Sequence, residues 1–249
     1  MASDPRFAQA TEETVATYDR AAKNYAKRNA ASQPFWRSRM DLFVELLEAA
    51  PEAARWDALP FPEPDSELDD FLAAIPVLDA GCGSGRDARA LAARILPVLA
   101  VDLSQGMLDE AAVWTARRLP AGAIRYALMD LRRLELPDAC CRGVWCSASL
   151  LHLPRPVAPR AVAELARVSR PGAPLVVFLK LAGDGPEQRY IDYEHDNLPG
   201  ARRFFAYYTP DEARALVEAA GYIVRDVSTS AEPPPPDAPG WVAVVATRP

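Results

Sequence analysis

From residue 75 onward, short apolar runs alternate with amphipathic stretches. IPVLDA (75–80) reads as a strand and RDARALAARI (86–95) as the helix after it. PVLAVDL (97–103) and SQGMLDEAAVWTARRL (104–119) repeat the pair, with Ser104 placed to cap the second helix. IRYALMD (124–130) is a third strand and CRGVWCSAS (141–149) a fourth. PRAVAELARVSRPG (159–172) is a helix closed by Pro-Gly, and PLVVFLK (174–180) a fifth strand. This alternation builds βαβ units on a parallel sheet.

The stretch 209-TPDEARALVEAAG-221 carries Thr at the cap, Pro at the first helical position, Glu at the third and Gly at the end, so residue chemistry marks both helix boundaries. YIVRDVS (222–228) and WVAVVAT (241–247) flank a loop with four consecutive prolines. With no room for a crossover helix between them, they should pair antiparallel at one edge. Two regions fall outside the alternation. Residues 1–50 look helical, through ETVATYDRAAKNYAKR and WRSRMDLFVELLEAA, followed by a Pro- and acid-rich connector to residue 70. Residues 181–208 are a long insertion of the kind that serves as a functional lid. The expectation is one domain over 1–249, with a helical cap and connector at 1–70 and a core at 75–249 that carries the insertion.

Composition narrows the classes. A formal net charge of −6 gives no global attraction for a polyanion, which argues against nucleic acid as partner. Lysine occurs only at 23, 27 and 180, and proline 24 times, a compositional bias without functional content. No run approaches a membrane span and the first residues lack the apolar core of a signal peptide, so a cytoplasmic protein is expected. The four cysteines, Cys82, Cys140, Cys141 and Cys146, form no C-x-x-C pair, and with two histidines in the chain no metal site is expected.

The chemistry concentrates in 77-VLDAGCGSGRD-87. Gly81, Gly83 and Gly85 follow the first strand, where bare backbone lets a ligand approach and the next helix offers its amides. From Gly83, G-S-G-R-D-A also fits the dinucleotide fingerprint, so the glycines alone leave a nicotinamide or flavin enzyme open. Charge separates the two. A carboxylate at Asp79 repels a pyrophosphate, whereas S-adenosylmethionine presents an ammonium and a sulfonium. Asp102 ends the second strand, placed to accept from both ribose hydroxyls, and Asp130 ends the third, placed to accept from the adenine amino group.

Together with AVDLSQGML, ALMDL, CSASLLHLP, RVSRPG and YYTPDEARALVEAAGY, this loop resembles the class I S-adenosylmethionine-dependent methyltransferase family across residues 75–228. The resemblance implies an α/β, Rossmann-like seven-stranded sheet of order 3-2-1-4-5-7-6, its last strand antiparallel, with helices on both faces and the N-terminal cap. It implies S-adenosylmethionine as cofactor and S-adenosylhomocysteine as product. It places Asp79, Gly81, Cys82, Gly83 and Gly85 around the methionine half of the cofactor and Asp102 at the ribose. Leu103 and Met107 flank the adenine, and Met129, Asp130 and Leu131 meet its edge. Ser147 and Ala148 face the methionine moiety. TYDRAAKNYAKR resembles a helix that closes over the cofactor and offers Tyr18, Tyr25 and Arg28. One departure stands out: SASLLH occupies the place of the N/D-P-P-Y tetrapeptide, which argues against amino methylation of adenine or glutamine.

Displacement at a sulfonium needs positioning more than a dedicated base. Where the acceptor must lose a proton, His152 and His195 are the candidates. In the insertion, Tyr190, Tyr193 and Phe205 could wall an apolar acceptor pocket while Arg202 and Arg203 meet an acid group. A small-molecule methyltransferase is the leading reading. The alternatives are methylation of RNA or protein, a dinucleotide-dependent oxidoreductase, and a module that binds the cofactor without catalysis.

Overall fold

Four consecutive buried residues, Val77–Ala80, form β1, and burial of successive positions, Asp79 included, marks a strand covered on both faces. The structure is a computed structural model and describes residues 5–30, 34–50, 52, 59, 63, 67–183, 187–192, 198–230 and 240–249. β1 pairs in parallel with β2 (Val98–Asp102) on one side and with β4 (Gly143–Ser147) on the other. β3 (Ile124–Leu128) flanks β2, and β5 (Pro174–Leu181) flanks β4, both in parallel. β9 (Trp241–Thr247) runs antiparallel between β5 and β8 (Ile223–Thr229). These seven strands reproduce the expected order, β8 and β9 being its sixth and seventh.

Among the described residues the sheet has nine strands rather than seven, because the insertion is not simply a loop. Its apolar and aromatic runs form β6 (Gln188–Asp192) and β7 (Arg202–Tyr208), an antiparallel pair. β7 meets β5 only at Lys180 and Leu181, where it pairs in parallel with Tyr207 and Tyr208. The hairpin therefore extends the sheet at the carboxyl end of β5, the end where ligands sit in open α/β sheets.

Helices cover both faces. α1 (Pro5–Arg28) and α2 (Pro34–Glu48) lie in the stretch expected to be helical, and α3 (Leu68–Ala73) follows. α4 (Arg86–Ala92), α5 (Gln105–Ala116) and α6 (Ala158–Val168) are the crossover helices. Ser104 caps α5, accepting from the Met107 amide at 3.2 Å. α7 (Pro210–Glu218) opens with the expected reciprocal capping box between Thr209 and Glu212. α2 buries Trp36, Met40, Phe43 and Leu47 against the sheet residues Trp145 and Phe178.

What positions α1 is a set of side chains that complete the free edge of β7. Thr17 Oγ1 donates to the Arg202 carbonyl at 2.7 Å and accepts from the Arg202 amide at 3.1 Å. The Phe204 amide donates to Thr14 Oγ1 at 2.9 Å. On its other side, α1 reaches α5 through Asp19, whose Oδ1 accepts from Ser104 Oγ at 2.5 Å and from the Gly106 amide at 2.9 Å. A Cβ at Gly106 would lie 2.9 Å from the Asp19 carbonyl oxygen, so glycine is what allows the two helices this close.

Candidate active site

The acids at the strand ends and the face of α1 enclose one cleft, with an empty volume of about 1330 Å³ that includes its open mouth. Its floor is the loop after β1. Gly81 and Gly83 both adopt left-handed backbone, at φ 78° and 51°. A side chain at Gly81 would strike Ser149, whereas one at Gly83 would meet nothing and project into open space. The loop is thus a bare backbone surface facing the cleft.

Asp79 is 1% exposed, and its Oδ2 has no hydrogen-bond partner among the described residues. Burial, then repulsion from Asp87, pushes its carboxyl well above the usual range, and neighbouring Arg86 only partly opposes this. Arg86 is committed elsewhere, forming a two-pronged pair with Asp87 at 2.7 and 2.9 Å. Asp79 is therefore a buried carboxylate short of a cation, and a ligand ammonium or sulfonium supplies one. Asp102 holds the loop itself: its Oδ2 accepts from the Gly83 amide at 2.8 Å and its Oδ1 from the Ser104 amide at 2.9 Å. Burial still raises its carboxyl, against those two amides.

The opposite wall is aromatic. Tyr18 and Tyr25 of α1 meet edge to face, with centroids 5.4 Å apart. Trp36 stacks on Phe178 at 4.7 Å and donates its indole N–H to Ser147 Oγ at 2.7 Å. Ala148, beside it, sits at φ 56°, a conformation that costs a non-glycine residue about 1–2 kcal/mol. His152 lies on the short turn Leu150–His152 that follows. Its Nδ1 is 2.7 Å from the Phe204 carbonyl and its Nε2 is 2.8 Å from the Tyr18 hydroxyl. Burial, with Arg203 and Lys180 nearby, lowers its pKa to about 3, so the ring is neutral at physiological pH.

Of the residues expected at the cofactor, Tyr18, Tyr25, Asp79, Gly81, Cys82, Gly83, Asp102, Leu103, Met107, Met129, Asp130, Leu131, Ser147 and Ala148 all line this cleft. Two do not. Arg28 is exposed on the last turn of α1. Gly85 faces the protein: a Cβ there would lie 2.6 Å from the Tyr126 hydroxyl, so its glycine serves packing between α4 and β3. Asp130 lines the cleft, but Arg132 claims both its oxygens at 2.6–2.9 Å; burial raises its carboxyl, and this pairing outweighs that and lowers it. Cys82 is held as a thiol by burial and the nearby carboxylates.

The residues assigned to an acceptor pocket distribute differently from the expectation. Phe205, 6% exposed, packs on His152 at 4.8 Å, and Arg203 lies over the Tyr18 ring at 5.7 Å, both behind the cleft wall. Arg202 is paired with Glu13 of α1 at 2.6 and 2.9 Å and covers Tyr190 at 4.2 Å, away from the cleft. Tyr193 and His195 lie outside the described residues. The sequence reading missed Asp87, Arg86, Trp36, Ser149 and Trp241 among the lining residues, and Asp19 as the tie between α1 and α5. Arg86 and Asp87 stood within the glycine motif itself. Trp36 and Trp241 carried no local signal.

Among the described residues no cluster suits a metal ion, and no helix is long and apolar enough to cross a membrane. Residues 77–172 match the family described as Methyltransferase domain. A malonyl-[acyl-carrier protein] O-methyltransferase from Pectobacterium atrosepticum is 36% identical over 207 residues, covering 77% of this chain and 68% of the relative. The O-methyltransferase cnsE of Penicillium expansum is 29% identical over 159 residues, 61% of this chain and 53% of that protein. A Serratia marcescens malonyl-[acyl-carrier protein] O-methyltransferase matches at 41% over 113 residues, 43% of this chain and 38% of the relative. For these last two, the chain spans about half the relative's length or less. In fold, Burkholderia thailandensis 1,6-didemethyltoxoflavin-N1-methyltransferase, solved with 1,6-didemethyltoxoflavin and S-adenosylhomocysteine, aligns over 100% of this chain and 91% of its own at a TM-score of 0.65 and 20% identity. The bare glycine loop, the acids at successive strand ends and this relatedness define a nucleoside-binding α/β protein of one kind: the chain belongs to the class I S-adenosylmethionine-dependent methyltransferase family.

Proposed function

We propose that this protein transfers the methyl group of S-adenosylmethionine to a small-molecule acceptor. The observation that carries the reading is the buried, cation-deficient carboxylate of Asp79 beside a bare backbone loop, which fits a ligand with an ammonium and a sulfonium and disfavours a pyrophosphate. When bound, the cofactor supplies a methyl group on a sulfonium, already activated for displacement.

The chain's own residues bind and orient. Asp79 attracts the ammonium, and the Gly81 and Gly83 backbone lies against the methionine half, with Cys82, Ser147 and Ala148 around it. Asp102 accepts from the ribose hydroxyls while its bonds to Gly83 and Ser104 keep the loop in place. Leu103, Met107, Met129 and Leu131 surround the adenine. Because Arg132 occupies Asp130, the adenine amino group has weaker claim on that carboxylate than the motif suggests. Tyr18 and Tyr25 close the cleft from α1 and exclude water. With S-adenosylmethionine held there, these residues would align the acceptor's lone pair with the methyl carbon, and an acceptor that carries hydrogen would release its proton to water at the open mouth of the cleft. His152, neutral and lowered to about 3, is a poor store for the acceptor's proton.

A second reading places the acceptor on a carrier protein. It is supported by relatives named malonyl-[acyl-carrier protein] O-methyltransferase and by exposed Arg20, Lys23 and Lys27 along α1. Incubating the protein with methyl-labelled S-adenosylmethionine and a cell extract separates the readings. Label in the solvent-extractable fraction supports the first, label on an acidic carrier protein the second, and label in RNA contradicts both.

A further inference from the structure

The hydrogen-bond pattern around His152 fixes more than the position of a ring. A carbonyl oxygen only accepts, so at 2.7 Å the Phe204 carbonyl requires a proton on Nδ1. In the neutral ring Nε2 is then bare, and the hydroxyl 2.8 Å away must point its hydrogen at it. The Tyr18 O–H is thereby spent on His152. Its oxygen keeps its lone pairs, of which Arg203 Nη1 approaches one at 3.4 Å, leaving acceptor capacity on a residue that lines the cleft. The ring itself is held by Tyr25 on one side and by the His152 imidazole, 5.3 Å between centroids, on another. The Phe204 carbonyl belongs to the edge of β7 already zipped to α1 through Thr14 and Thr17, so the whole chain of bonds is anchored at both ends.

We propose that Tyr18 is the acceptor-contacting residue of this site: its hydroxyl oxygen receives the X–H bond of an alcohol, phenol or amine, and His152 is a positioning residue that acts through it. The consequence is a substrate class. An acceptor with hydrogen on the atom to be methylated donates to Tyr18 and turns a lone pair toward the methyl group. A carboxylate has no hydrogen to give and meets an oxygen whose own hydrogen is committed. This inference rests on the methyl-transfer reading and selects, within it, X–H acceptors over carboxylates.

The test uses the full chain, in which two histidines keep the imidazole spectrum simple. Long-range proton–nitrogen correlation should show His152 protonated at Nδ1 and bare at Nε2, without a midpoint between about pH 5 and 8, although Arg203, Lys180 and Tyr18 surround it. The His152→Phe variant assigns the signal. With S-adenosylhomocysteine bound, phenol should move the Nε2 resonance and benzoate should not. Tyr18→Phe, saturated with S-adenosylhomocysteine, should abolish the response. By calorimetric titration with S-adenosylhomocysteine present, His152→Gln, which retains an acceptor toward Tyr18, should bind phenol as the wild type does, and His152→Phe should bind it more weakly. A ring protonated at Nε2, a midpoint inside that pH range, no response to phenol, a benzoate response as large, or a phenol response that persists in Tyr18→Phe would each overturn the proposal. Failure of the wild-type protein to bind S-adenosylhomocysteine would instead overturn the methyl-transfer reading beneath it.

Discussion

Replacing Asp79 with Asn keeps the shape of a fully enclosed side chain and removes only its charge. In the free protein that charge is a burden: it is 1% exposed, one oxygen is unpartnered, and Asp87 lies near. An unpartnered amide atom would remain, but removing the uncompensated buried charge is worth about 1–3 kcal/mol. At about 2–4 °C per kcal/mol for a chain of this size, the melting temperature of Asp79→Asn should rise by roughly 2–12 °C at neutral pH. The sign with pH follows from linkage. A carboxyl whose folded pKa is raised favours folding while protonated, and that contribution is lost as pH climbs through the folded value. The difference between variant and wild type should therefore vanish at acid pH and grow as pH rises above the usual carboxylate range. Cofactor binding should move the other way. A charge-assisted bond contributes about 1.5–3 kcal/mol, so the dissociation constant for S-adenosylmethionine should rise by roughly 10- to 150-fold. Differential scanning fluorimetry across pH and calorimetric titration read the two effects separately. A variant that melts lower and binds the cofactor as tightly as wild type would refute the reasoning, since Asp79 would then be a structural residue.

Three further outcomes are expected. Asp102→Ala orphans the Gly83 and Ser104 amides at about 1–3 kcal/mol each, so it should lose both melting temperature and cofactor affinity, with Asp102→Asn between it and wild type; undiminished binding would remove Asp102 from the ribose. Gly106→Ala improves helix propensity yet forces a methyl group within 2.9 Å of the Asp19 carbonyl, so stability should fall by about 1–3 kcal/mol, and a higher melting temperature would show that α1 does not rest on α5. Trp36→Phe keeps the stack on Phe178 but loses the bond to Ser147, which should weaken cofactor binding with little change in stability, checked by the same calorimetry.

The sheet was legible because its strands are short apolar runs, three of them leading into an acid that the parallel topology then delivers to one end. Helix boundaries were legible where side chains cap backbone, as at Ser104 and Thr209. The insertion was misread as a loop because its pairing is long-range: β7 finds β5 only at two residues and is otherwise completed by threonines more than 180 positions away in sequence. The same applies to Asp19, which lies beside Tyr18 in the motif but acts 85 residues away on Ser104. Gly85 fits a ligand loop by spacing and a packing contact by structure, since spacing alone does not say which face a glycine turns to the cleft. Arg132 stood two residues from Asp130, and nothing in their order indicated that the pair would close on itself.

The central claim is that the cleft holds a cationic nucleoside rather than a pyrophosphate. Parallel calorimetric titrations of the protein with S-adenosylmethionine, S-adenosylhomocysteine and NAD test it most directly. Heat of binding is expected from the first two and none from NAD. Saturable binding of NAD alone would contradict it, because a pyrophosphate would then have to sit beside the buried charge of Asp79.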